Sequence, residues 1–171
     1  MTVPDLSRVS IRTIRPDDSL EELTELLHRA YGRLAKMGLR YLATHQSVEI
    51  TRERVSRSVC FVAELDGRIV GTINYHPREK ARGCPWYERP EVAKLSQMGV
   101  EPELQGHGLG RLLMDYAEAA ARTDGAQELA MDTAESAHHL IEWYTRRGYR
   151  FIEYIQWDVT NYRSVVMSKT L

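Results

Sequence analysis

Three glycines spaced Gly106-x-Gly108-x-Gly110 stand between an apolar run and the most regular amphipathic stretch of the chain. The run before them, Val92 to Val100, reads as a strand. After them Leu109, Leu112, Leu113, Tyr116, Ala117 and Ala120 recur at helical spacing, with Arg111, Asp115, Glu118 and Arg122 on the wet face. A strand, a glycine turn and a helix in that order leave backbone N–H groups open to an anion, which the helix dipole also favours. The same glycines would equally serve a tight bend with no ligand. Two phosphate motifs are excluded: a dinucleotide fingerprint needs glycine where Arg111 stands, and G-x-x-x-x-G-K-[ST] is absent.

The remaining pattern is mixed α/β. Ser10 to Ile14 reads as a short strand. Asp18 and Glu21 have capping-box spacing ahead of a helix with Leu20, Leu23, Leu27, Ala30 and Tyr31 on one face. Gly32 to Thr44 carries no clear period, and Ser47 to Arg57 reads as a second helix. Val59 to Leu65 and Arg68 to Tyr75 are strands joined by Asp66-Gly67, the dipeptide of a type I′ hairpin. Pro77 to Pro90 holds three prolines and no period, and reads as a long loop. Glu128 to Asp132 is a strand, Ala137, Leu140, Ile141 and Tyr144 line a helix that stops at Gly148, and strands over Arg150 to Val159 and Ser164 to Thr170 close the chain. Gly99 inside its strand marks a bulge or a close backbone approach.

A chain of 171 residues with 43% hydrophobic and 27% charged side chains is expected to form one soluble domain over residues 1–171. Lys plus Arg (23) nearly cancel Asp plus Glu (24), which leaves no field for a dedicated nucleic-acid binder. Cys60 and Cys84 lack C-x-x-C spacing, and His138-His139 diverge on a helix, so neither a disulfide framework nor a metal site is expected. Met1 to Arg15 has no apolar signal region and no later run approaches the ~18 apolar residues of a span, so a cytoplasmic protein without a membrane partner is expected.

The run from Leu95 to Leu113 resembles the acyl-CoA-binding motif of the GNAT N-acetyltransferases, [QR]-x-x-G-x-[GA], with Gln105, Gly108 and Gly110 at its defined positions. Leu140-Ile-Glu-Trp-Tyr144-Thr-Arg-Arg-Gly148-Tyr149 is similar to that family's second motif. The resemblance implies a mixed, mostly antiparallel sheet splayed in a V with helices on both faces, and acetyl-CoA as acyl donor. It places pantetheine and thioester at Met98, Gly99 and Val100, and the pyrophosphate over Gln105, Gly106, His107, Gly108, Leu109, Gly110 and Arg111. Ala137 stands where the family often has Asn, which leaves Ser136 as the substitute hydrogen-bonding group. The implied reaction is direct attack, in a ternary complex, by a primary amine of a small molecule or peptide. An alternative is a non-catalytic acyl-CoA sensor or partner protein, and a homodimer is compatible with either.

Transfer from a thioester to an amine needs a neutral nucleophile, oxyanion donors and a proton for the departing thiolate. The resemblance assigns the acid to Tyr144, and a bulge in the strand would leave the main-chain N–H of Met98 or Val100 unpaired as the oxyanion donor. Glu64, His76 and Glu135 are the candidate bases; Lys94 stands where some relatives have a base glutamate. Trp86 and Tyr87, in the long loop, either shape the acceptor pocket or pin the loop to the sheet.

Overall fold

The computed structural model describes residues 3–171; Met1 and Thr2, part of the N-terminal stretch read above, lie outside them. The sheet has seven strands: β1 (Ser10–Thr13), β2 (Val59–Leu65), β3 (Arg68–His76), β4 (Val92–Val100), β5 (Glu128–Ala134), β6 (Arg150–Ile155) and β7 (Ser164–Thr170), in spatial order β1-β2-β3-β4-β5-β7-β6. Every neighbouring pair is antiparallel except β4 and β5. The helices are α1 (Leu20–Ala30), α2 (Gly32–Lys36), α3 (Val48–Ser56), α4 (Leu109–Thr123) and α5 (His138–Arg146). None is long and apolar enough to cross a membrane.

Alternation along β2 shows why helices cover both faces. Phe61 and Ala63 enter one core with Leu109, Leu113 and Ala117 of α4, while Cys60 and Val62 enter another with Leu23 and Leu27 of α1. The hairpin forms as its dipeptide requires, with Asp66 at φ 52° and Gly67 at φ 78°. Glu118 is the one charged residue of α4 that is buried: it accepts from Arg147, Tyr149 and Lys169, so the polar side of the helix is tied to α5 and β7.

Several local expectations shift. The N-cap of α1 is Ser19, whose side chain accepts from Glu22 N–H, whereas Asp18 is held by Arg12 and by Arg15 N–H. The aperiodic stretch from Gly32 becomes α2 and a 3-10 turn at Leu42–Thr44. β5 runs two residues beyond Asp132, and β6 ends at Ile155, leaving residues 156–163 as a loop. The bulge is not at Gly99, which pairs with Thr72; Gln97 and Met98 together oppose Ile73, and Gln97 takes φ 52°. Gly99 serves close approach instead, since a Cβ there would come within 3.2 Å of Ala30 Cβ and 3.3 Å of Leu27 Cδ2.

Candidate active site

β4 and β5 pair only at Val92/Glu128, Ala93/Leu129 and Lys94/Ala130. Beyond Lys94, β4 keeps its partner β3 and β5 keeps β7, so the two half-sheets part and their facing edges have no ladder. The parting opens a cleft of about 720 Å³. An extended chain with amide groups could pair with the free edge of β4, as an added strand does.

One mouth of the cleft is the glycine turn. Gly106 (φ 79°) and Gly108 (φ 98°) adopt left-handed conformations that disfavour other residues, and Gly108 caps α4 without a side chain over its first N–H groups. A Cβ at Gly106 would meet nothing within 4 Å and one at Gly108 only Leu6 Cδ1 at 3.8 Å, so space for a ligand lies directly over the backbone. The Gln105 side chain donates to Val100 O at 3.0 Å and Ala30 O at 3.4 Å, joining the end of β4 to α1. Gln105, Gly106, Gly108, Gly110 and Arg111 line the cleft together with Met98, Gly99 and Val100. His107 is exposed and Leu109 is fully buried in the core; neither side chain lines the cleft. Ser136 is exposed in the turn before α5 and also lies off the cleft lining.

Tyr144 stands in the cleft wall, only 5% exposed, with its ring edge-on to Trp143 and Tyr149. Burial raises its phenol well above the ordinary range, so it holds its proton at neutral pH. The candidate bases separate. Glu64 is paired with Arg12, and Glu135 with Arg163; neither lines the cleft. His76 stands behind the cleft wall, 2.8 Å by Nε2 from the Oγ of Ser96, which does line it. Burial, helped by Lys94 and Arg54, pushes His76 down to about 3.

Beyond the bulge the cleft acquires residues with no role expected from the sequence, Arg54, Asp132 and Trp157 among them, beside Lys94 and Tyr87. Asp132 of β5 accepts from the Tyr87 hydroxyl at 2.6 Å and from Trp157 Nε1 at 2.8 Å. Lys94 lies over both rings, 4.6 Å from that of Tyr87 and 5.3 Å from that of Trp157. The long loop is therefore pinned to the sheet through Tyr87, and Gly83 in it packs against Trp157. Tyr31, Tyr41 and Tyr162 stack into an aromatic wall, and Tyr41 Oη accepts from Ala134 N–H at 2.9 Å at the end of β5. Arg54 enters from α3, donating to Gln46 Oε1 at 2.8 Å. A charged residue within an otherwise buried strand, Lys94 in β4 or Asp132 in β5, is the signal that would have found this half.

A model of the acetyltransferase (GNAT) family matches residues 20–149. The S-(2-succino)cysteine N-acetyltransferase of Bacillus subtilis is 31% identical over 134 residues, covering 75% of this chain and 77% of its own. Among solved structures, a GNAT family acetyltransferase from Elizabethkingia anophelis with acetyl-CoA bound matches at TM-score 0.68 and 15% identity over 96% of this chain and 99% of its own. A PaiA N-acetyltransferase from Thermoplasma acidophilum in complex with coenzyme A matches at TM-score 0.72 and 16% identity, over 95% and 99%. These two speak to the fold, and the family model and the Bacillus relative to descent. Splayed sheet, glycine turn and sequence thus agree, and the chain belongs to the GNAT acetyltransferases, enzymes that take their acetyl group from acetyl-CoA.

Proposed function

We propose that this enzyme transfers the acetyl group to the primary amine of a small molecule by direct attack within a ternary complex. The observation that carries the reading is the parting of β4 from β5 after Lys94, with the glycine turn at one end and Tyr144 in its wall. Pantetheine amides would pair with the free edge of β4, and the pyrophosphate would sit over Gly106, Gly108 and the start of α4. The thioester then lies at the bulge, where the main-chain N–H of Met98 supplies an oxyanion donor.

The amine nitrogen attacks the thioester carbonyl carbon, a C–N bond forms, and the C–S bond breaks as the tetrahedral intermediate collapses. Tyr144 gives its proton to the departing sulfur. The amine loses its extra proton to a base; Asp132 is the carboxylate that lines the cleft, and it remains hydrogen-bonded by Tyr87 and Trp157 throughout. The small-molecule acceptor is supported by the enclosure of this half by Tyr31, Tyr41, Tyr162 and Trp157, and by the named activity of the Bacillus relative.

Thiol release from acetyl-CoA across a panel of amines tests the reading. Tyr144→Phe should bind acetyl-CoA as the wild type does and lose ~10²- to 10⁴-fold in kcat. Equal kcat in the two proteins would remove Tyr144 from the mechanism. Acetyl-CoA binding without turnover of any amine would favour a sensor.

A further inference from the structure

We infer that the acceptor carries a carboxylate as well as its amine, and that Arg54 and Lys94 form the site that receives it. This deepens the acetyl-transfer reading and rests on it for the identity of the cleft as an active site.

Arg54 on α3 and Lys94 on β4 both line the acceptor half of the cleft. Burial lowers the pKa of each; the Asp132 carboxylate opposes this in both, and the positive charge of Arg54 lowers that of Lys94 further. No carboxylate of the described residues forms an ion pair with either one. Arg54 spends one N–H on Gln46, and Lys94 has only a long 3.5 Å contact to Arg82 O beside the two aromatic rings. Two positive side chains that share a half-buried cleft with one carboxylate leave a charge unmatched, which is costly to the folded protein. A ligand that supplies the missing anion relieves that cost.

Charge and shape define the anion. Asp132 is the carboxylate lining this cleft, and its two oxygens already accept from Tyr87 and Trp157. It offsets one of the two cations and leaves a single positive charge to be met. A carboxylate carries one negative charge, whereas a phosphonate or phosphate carries more at neutral pH. The planar guanidinium of Arg54 presents paired N–H donors that match the two oxygens of a carboxylate. Polyamines, with further positive charges, would meet Arg54 and Lys94 as repulsion. The acceptor class is therefore an amino acid or a related amino carboxylate.

The test is a matched comparison. A set of amino acids, their carboxamides, spermidine and 2-aminoethylphosphonate is assayed by thiol release with wild type, Arg54→Gln and Lys94→Met. Wild type should prefer the acids over their amides by about 100-fold in kcat/KM. Arg54→Gln should erase most of that preference through a KM for the acid raised at least about tenfold, with KM for acetyl-CoA unchanged. A readout independent of turnover is calorimetric titration of propionate, a single carboxylate, into the protein with and without CoA. Binding should be weakened about tenfold or more in either variant, and Lys94→Met serves if Arg54→Gln does not fold. Equal use of acid and amide, preference for spermidine or the phosphonate, or unchanged propionate binding in both folded variants would overturn the inference. If acetyl-CoA itself fails to bind, the acetyl-transfer reading falls, and propionate titration of the protein alone still decides the anion site.

Discussion

Gln46 donates from Nε2 to Gln97 Oε1 at 3.1 Å, a bond that holds the bulge of β4 to the chain just before α3. The other amide proton serves Thr51 Oγ1, and Gln46 Oε1 accepts from Arg54, so one side chain only 1% exposed ties the bulge to the guanidinium. Replacing it strands several buried polar groups at once. Gln46→Leu should lower stability by about 1–3 kcal/mol, near 2–4 °C in Tm for each kcal/mol. Calorimetric melting of the variant checks this, and an unchanged Tm would show that the network contributes nothing.

Donor binding is expected to fail through added bulk rather than lost side chains. Gly108→Val places a β-branched residue at φ 98° and puts its methyl groups over the first N–H groups of α4. KM for acetyl-CoA should rise at least about tenfold, from the loss of charge-assisted hydrogen bonds to phosphate. Gly110→Ala is the milder control, because its Cβ would make only ordinary contact with Trp143 at 3.8 Å. Similar KM values for the two variants would argue against phosphate seated at Gly108.

Gly83 bears on the proposed acceptor side through Trp157. Its φ of 122° and a Cβ that would fall 2.4 Å from the Trp157 ring require the indole to move if any side chain is added. Gly83→Ala should break the Trp157 to Asp132 bond and raise KM for the acceptor about 10- to 100-fold, with acetyl-CoA binding preserved. Equilibrium binding of CoA beside acceptor kinetics separates the two effects.

Stability should depend on pH through His76. Its folded value is pushed from 6.5 to about 3, so the unfolded chain takes up a proton that the folded one refuses. The contribution is fully present above pH 6.5 and is lost progressively as pH falls toward 3. His76→Gln should therefore flatten the fall in stability between pH 7 and pH 4.5, measured by urea unfolding at each pH. A slope identical to wild type would assign the effect to other groups.

The legible part of the molecule was the locally encoded part. The turn at Gly106 to Gly110, helix α4 and the Asp66-Gly67 hairpin announce themselves within a dozen residues, because glycine geometry and hydrophobic period act locally. The cap of α1 slipped by one position because Asp18 and Ser19 are both good caps, and the choice fell to Arg12, which takes the aspartate. Gly99 in its strand fits a bulge or a close approach on conformational grounds; the structure has the close approach there, while Gln97 carries the positive φ of the bulge, with its side chain held by Gln46 from another element. Arg54, Lys94, Asp132 and the Trp157–Tyr162 loop come from four separate segments and meet only through the tertiary fold. No spacing rule reaches across such distances.

The three-pair contact between β4 and β5 also sets a length. From Leu95 to Val100 the free edge of β4 is six residues, roughly 20 Å at the usual rise of an extended strand. In the proposed seating its last three residues, Met98 to Val100, would work as a ruler of roughly 10 Å: a donor whose arm falls short of that stretch cannot rest its phosphates on the turn and present its thioester at Met98 at the same moment. A truncated thioester that lacks the nucleotide end would forfeit the anchor while keeping the reactive group, so under the proposed seating reach, as much as chemistry, would select the donor.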